Sequence, residues 1–136
     1  MININDINIT TLPHSSFGDS PKLADELVEL VIQGKKTATC GSLVEHLQDP
    51  APPTGSLQVI TDGQDRPRCV IQSTHQFIIR FCDVDENLAK LEGEGDLSLA
   101  YWQQAHREFF GRLGVFDDKM WLLFEKFTVI KILENS

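Results

Sequence analysis

From Gly34 to Ser42 the chain reads Gly-Lys-Lys-Thr-Ala-Thr-Cys-Gly-Ser, which brings two cations, three hydroxyls and a thiol into nine residues. A threonine hydroxyl is a poor nucleophile until a neighbouring base takes its proton. A lysine serves as that base only when burial or another cation lowers its pKa from about 10.4. Lys36 and Thr39 are the candidates for this pair, with Lys35 as the neighbouring cation. If the segment is extended its side chains alternate, so Thr37, Thr39 and Gly41 share one face and Ala38, Cys40 and Ser42 the other. The same spacing fits a plain strand whose threonines satisfy β-propensity. Cys40 ranks below Thr39 as a nucleophile because no histidine stands near it in the sequence.

A second reactive stretch is Glu92-Gly93-Glu94-Gly95-Asp96. Its glycines permit a sharp turn or close approach to a ligand, and carboxylates interleaved with glycine do not read as a buried face. The stretch precedes a helix, whose first backbone N–H groups can orient a carboxylate for general acid or base work. Asp96 is expected to cap that helix. A metal site there has only weak support, three acids without a histidine at ligand spacing, and no cofactor is implied. His106, on the apolar stripe of the helix, reads as a hydrogen-bonded core histidine, and Trp102 and Trp121 read first as core.

The elements that must position these groups follow from local signals. Residues 1–18 mix Asn, Thr and Ser with Ile and read as an irregular lead-in. Asp19-Ser20-Pro21 opens a helix with a buried stripe of Leu23, Leu27, Leu30 and Val31, and Gly34 ends it, leaving Lys35 and Lys36 at the negative end of its dipole. Residues 46–56 carry Pro50, Pro52 and Pro53 and read as a loop. Leu57–Thr61 and Arg68–Phe81 are strand-like around a turn, which predicts a hairpin. A short helix runs from Asp83 to Leu91, and a longer one carries Leu99, Trp102, His106, Phe109, Phe110 and Leu113 on one stripe. Leu122–Leu133 is nearly all apolar or β-branched, as a central or barrel-closing strand would be. Strands and helices do not alternate regularly, so the expected class is α+β with a small, mostly antiparallel, curved sheet.

At 136 residues the chain is sized for one domain, and a formal charge of -8 repels phosphate chains unless a basic groove forms locally. Three widely spaced cysteines suggest neither disulfides nor a zinc finger. The start of the sequence lacks signal-peptide character and no run is long enough to span a membrane, so a cytoplasmic location with no membrane partner is expected.

Phe17-Gly18-Asp19-Ser20, Gly34-Lys35-Lys36-Thr37-Ala38-Thr39, and Glu92-Gly93-Glu94-Gly95-Asp96 with Ser98-Leu99-Ala100-Tyr101-Trp102, His106, Phe109 and Phe110 together resemble the ASCH domain family, in its small bacterial single-domain branch. The resemblance runs from about Phe17 to the last strand. It implies one domain over 1–136 with a PUA-like β-barrel decorated by helices, a cleft between them, and a link to RNA or modified nucleosides. Some members are similar to amidohydrolases that deacetylate N4-acetylcytidine through a Lys, Thr, Glu triad; others are described as ribonucleases. Matched residue by residue, the triad falls on Lys36, Thr39 and Glu94, with Glu92 the rival for the carboxylate. An Arg that follows the motif in the amidohydrolase branch is replaced here by Cys40, Gly41 and Ser42, a departure that bears on substrate rather than fold.

The resulting expectation is an amide hydrolase acting on an acylated nucleoside or a similar small molecule. Lys36, Thr39 and Glu94 are the catalytic candidates, and Lys35, Thr37, Ser42, Glu92, Asp96 and Trp102 the substrate-binding candidates. The alternatives are an RNA-binding module, with Lys35, Lys36, Arg66 and Arg68 on phosphates, and a metal-independent ribonuclease using the same cleft.

Overall fold

A computed structural model describes residues 8–50 and 52–133. Helix α1 (Pro21–Ile32) starts where expected: the Ser20 hydroxyl accepts from the Leu23 N–H and Pro21 sits at the first helical position. Its buried face is Ala24, Leu27, Val28 and Val31, rotated from the expected stripe so that small residues face the sheet while Leu23 and Leu30 lie at its margin. The lead-in is more ordered than its composition implies. Residues Ile9–Thr11 form a 3-10 turn and His14–Ser15 a short strand, β1; residues 1–7 lie outside the described part of the chain.

The chain continues through β2 (Ala38–Ser42), α2 (Leu43–Gln48), β3 (Leu57–Thr61), β4 (Pro67–Arg80), a 3-10 turn at Phe81–Asp83, α3 (Glu86–Glu92), α4 (Leu99–Arg112) and β5 (Trp121–Ile132). The start of the expected loop at 46–56 is therefore the end of a helix. The sheet order is β1-β3-β4-β5-β2, antiparallel except for the β1–β3 pair. Apolar β5 is a central strand, as its composition predicted. Register shifts between Val70 and Ile71 and between Ser73 and His75 interrupt the long β4–β5 ladder, the kind of irregularity that bends a ribbon. Among the described residues the sheet nevertheless stays open between β1 and β2, because a two-residue β1 offers little ladder for closure.

Two cores hold the layers together. Val28 and Val31 of α1 pack on Ile60, Ile71 and Phe127. On the other side of the molecule, Trp102 and Phe110 of α4 join Ala38, Phe81, Leu122 and Phe124. Burying each of the large side chains contributes about 1.5–3 kcal/mol. Helix α4 is capped by Ser98, not by Asp96: the Ser98 hydroxyl accepts from the Tyr101 N–H, and the Asp96 carboxylate accepts from the Ser98 N–H one turn earlier. Leu113, expected on the buried stripe, lies past the end of α4 and is exposed.

Candidate active site

The two reactive stretches of the sequence meet. The Thr37 N–H donates to the Leu91 carbonyl at 2.7 Å, tying the start of β2 to the end of α3. Gly93 ends α3 with φ 71°, and a Cβ there would lie 2.2 Å from the Lys35 carbonyl oxygen. Only glycine lets the backbones touch in this way. The contact sets Glu92 and Glu94 on either side of the Lys36 ammonium, with Nζ 3.3 Å from Glu92 Oε1 and 3.2 Å from Glu94 Oε2.

Contrary to the expectation for a glycine-rich acidic turn, Glu92 is buried, at 2% exposure, and its carboxylate meets four donor side chains. Oε1 accepts from Lys36. Oε2 accepts from the Trp102 indole N–H, from His106 Nε2 at 3.2 Å and from the Cys40 thiol at 3.5 Å. Each carboxylate oxygen has about two acceptor positions, so three donors crowd Oε2 while Lys36 holds Oε1. Glu94, with a side chain 19% exposed, reaches the same ammonium from the solvent side.

The protonation states follow from the partners. Burial opposes charge on Lys36, but Glu92 and Glu94 outweigh it and hold its pKa above the ordinary value. The expectation of a lysine kept neutral by burial and by Lys35, and so free to act as base, is thereby reversed: Lys36 is an ammonium. Burial likewise resists charge on Glu92, yet Lys36 and His106 pull its carboxyl down to about 2. His106 Nδ1 lies 2.8 Å from the Trp102 carbonyl, which can only accept, so Nδ1 carries a proton. Its Nε2 faces a carboxylate oxygen, and both bonds form together in the imidazolium. Against the cost of burial, Glu92 raises the pKa of His106 accordingly. Two cations and two anions balance in this quartet. The Cys40 thiol is pushed well above its ordinary pKa by burial and by Glu92, so it stands as a thiol donor rather than a nucleophilic thiolate.

A cavity of about 210 Å³ opens above Lys36 and Glu94 and is walled by Thr39, Phe17, Tyr101 and His106 among others. The Phe17 ring centroid lies 5.4 Å from Lys36 Nζ. Asp19 and Arg112 form a two-toothed ion pair, at 2.9 and 3.2 Å, linking the approach to α1 with the end of α4 beside this cavity. Lys36, Thr39, Glu92 and Glu94 are thus brought together, and Trp102 serves as the buried donor to Glu92. Thr37 uses its hydroxyl on the Leu91 carbonyl at 3.4 Å. Lys35 and Asp96 are exposed and do not line the cavity, and Ser42 lines a neighbouring groove. Of the cations assigned to RNA, Arg66 pairs with Asp62 at 2.9 Å and Arg68 with Glu29 at 3.2 Å. His106 is buried and hydrogen-bonded, as its place on the apolar stripe predicts. Its position four residues after Trp102 on one stripe was visible; the carboxylate it serves was not, since Glu92 comes from another helix.

Among the described residues no helix is long and apolar enough to cross a membrane. No curated protein matches the chain. The crystal structure of an ASCH domain from Lactobacillus crispatus aligns at TM-score 0.84 with 33% identity, over 94% of this chain and 89% of that one. A protein of Enterococcus faecalis aligns at TM-score 0.82 with 31% identity, over 94% and 82% of the two chains. A sequence model described as ASCH domain matches residues 14–131, a span that begins at β1, takes in both stretches meeting at Lys36 and ends within β5. By that match the chain belongs to the ASCH domain family.

Proposed function

We propose that the protein is an amide hydrolase that removes an acyl group from a nucleoside-like amine, with N4-acetylcytidine as the representative substrate. The observation that carries this reading is the Lys36 ammonium, fixed between two carboxylates beneath a cavity that Thr39 and Glu94 both line. Thr39 Oγ1 attacks the acyl carbon and its proton passes to Glu94. Lys36 has three N–H groups, and the two glutamates occupy two of them; the third meets the developing oxyanion. Collapse returns the oxygen to a carbonyl and expels the amine, which takes the proton from Glu94. Water then attacks the threonine ester, Glu94 accepts its proton and returns it to Thr39, and the carboxylic acid departs. In this scheme Glu92 keeps Lys36 in place and exchanges no proton, and Glu94 is the glutamate that does.

The family is PUA-like and linked to RNA, but an RNA-binding reading has less support, since Arg66, Arg68 and Lys36 are all paired with carboxylates. The test is release of cytidine from N4-acetylcytidine by the purified protein, with RNA as a parallel substrate. Turnover should fall by about 10²–10⁴-fold in Thr39→Ala, Lys36→Ala and Glu94→Gln. No turnover of the acylated nucleoside, or turnover indifferent to these changes, refutes the hydrolase; cleavage of RNA that depends on Lys36 would replace it with the nuclease.

A further inference from the structure

Glu92 Oε2 receives three donors, where an oxygen has room for about two. One is the Trp102 indole N–H. The other two, the Cys40 thiol and His106 Nε2, are also the groups that bind borderline divalent cations best. The histidine that residues 92–96 lack at ligand spacing is thus supplied by α4, and a thiol by β2. The spacing of these atoms fits an ion as well as it fits hydrogen bonds. Zinc bonds of about 2.0–2.3 Å at tetrahedral angles make a nitrogen–oxygen edge of about 3.4 Å and a sulfur–oxygen edge of about 3.6 Å. Here His106 Nε2 lies 3.2 Å and Cys40 Sγ 3.5 Å from Glu92 Oε2. The three ligand atoms all lie within 4.8 Å of one another, so closing the third edge asks only that Cys40 and His106 draw together.

His106 is already held as a metal-bound imidazole is held. Its Nδ1 donates to the Trp102 carbonyl at 2.8 Å, which fixes the ring and leaves Nε2 for the ion. Cys40, Glu92 and His106 all line the cavity of about 210 Å³, so a fourth position opens there, as in zinc sites that keep one place free. An ion would replace two of the donors on Oε2 with one bond and leave the other position to Trp102. Charge is conserved as well: the protons that Cys40 and Nε2 present to Glu92 leave and two positive charges arrive, so the balance with Lys36 and Glu94 is kept. Calcium and magnesium take oxygen ligands and are not served by a thiol and an imidazole.

We propose that Cys40 Sγ, Glu92 Oε2 and His106 Nε2 form a binding site for one zinc-class divalent cation, which exchanges for the two protons and turns its open position to the cavity. The inference does not rest on the hydrolase reading, no step of which uses Cys40 or an ion.

The test is calorimetric titration of the whole chain, freed of metal and kept reduced by a phosphine, with zinc chloride and in parallel with magnesium and calcium chloride. Zinc should bind once per chain with a Kd of about 1 μM or below, and the other two ions should not bind. Cobalt in place of zinc should give a thiolate charge-transfer band in the near ultraviolet and the intense visible bands of a four-coordinate ion. Cys40→Ser should abolish the charge-transfer band, and both Cys40→Ser and His106→Gln should weaken zinc by at least about 100-fold, since loss of even an outer partner costs about 10–100-fold. Cys82→Ser, which removes the exposed thiol, should change neither reading. The cobalt spectrum of the unaltered chain decides the matter even where a variant fails to fold. The site is overturned if zinc does not bind, if it binds equally well in Cys40→Ser or His106→Gln, if its binding is lost with Cys82→Ser, or if the cobalt spectrum lacks the thiolate band. Release of cytidine from N4-acetylcytidine is scored on the metal-free protein, so either reading can fall without the other.

Discussion

Replacing Glu92 by Gln keeps the shape of the side chain and removes the charge around which Lys36 and His106 are arranged. Lys36 would retain Glu94, but His106 would lose the carboxylate it donates to, and one cation of the quartet would lie buried without balance. Leaving a buried charge uncompensated costs about 3–5 kcal/mol. The carboxyl itself gives a similar figure: its ordinary pKa is 4.5 and it is held at about 2, which at about 1.4 kcal/mol per pKa unit is ~3 kcal/mol. For a domain of this size, that loss lowers Tm by about 10–20 °C. Glu94→Gln, at a partly solvated position, should cost less than about 1 kcal/mol. The sign in acid follows from the lowered pKa: the contribution of Glu92 is complete above 4.5 and is lost as pH falls toward 2, so the gap between wild type and Glu92→Gln should narrow below pH 4.5. Urea unfolding of the three proteins from pH 3 to pH 7 measures all of this. Equal destabilisation by the two substitutions, or a gap independent of acid, would refute the assignment of Glu92 as the buried anchor.

His106 titrates in the opposite sense. Its pKa is raised, so its contribution is complete below the ordinary 6.5 and is lost as pH rises through the folded value; the stability difference between wild type and His106→Gln should shrink toward alkaline pH in denaturant titrations. The cysteines should separate by reactivity. Exposed Cys82 should alkylate rapidly in the native protein while buried Cys69 and protonated Cys40 resist, as peptide mass mapping after a timed iodoacetamide pulse would reveal; labelling of Cys40 at the rate of Cys82 would contradict its thiol state. Gly93→Ala should destabilise by several kcal/mol, because its Cβ meets the Lys35 backbone, whereas Gly114→Ala, at a similar φ of 75° with nothing within 4 Å, should cost only about 1 kcal/mol by thermal unfolding.

The parts of this fold legible in the sequence are those decided by neighbours along the chain. Ser20 and Pro21 announce α1, the β-branched run to Ile132 announces a central strand, and the turn after Thr61 announces the β3–β4 hairpin. What the sequence concealed depends on distant contacts. Ala24 and Val28 replace Leu23 and Leu30 on the buried face because the sheet lies close to α1 there. β1 is too short to show a period and exists because β3 offers it an edge. The role of Glu92 is hidden for the same reason: its donors come from β2, α4 and the segment after α1, and nothing in Glu-Gly-Glu distinguishes a buried carboxylate from a solvated one. The motif marks Lys36, but its protonation state depends on Glu92 and Glu94, which the neighbouring Lys35 does not indicate.

The charge balance of the quartet constrains what the cavity can accept. Glu92 and His106 satisfy each other, so the charges adjustable by a ligand are those of Lys36 and Glu94. An anionic ligand that bonded the third N–H of Lys36 would add a negative charge next to Glu94 in a poorly hydrated space, where like charges are disfavoured. A neutral carbonyl oxygen adds none. In the proposed hydrolysis, negative charge developing on that oxygen is matched by the proton arriving on Glu94, so the net charge of the buried cluster does not change along the step. Such compensation favours a transition state over a bound anion, because the donors are already oriented and need no reorganisation. On the proposed reading the cluster therefore favours a neutral acyl compound over a phosphate or a free carboxylate. The acid released from the threonine ester, ionised at neutral pH, would be expelled by the same repulsion that disfavours anion binding.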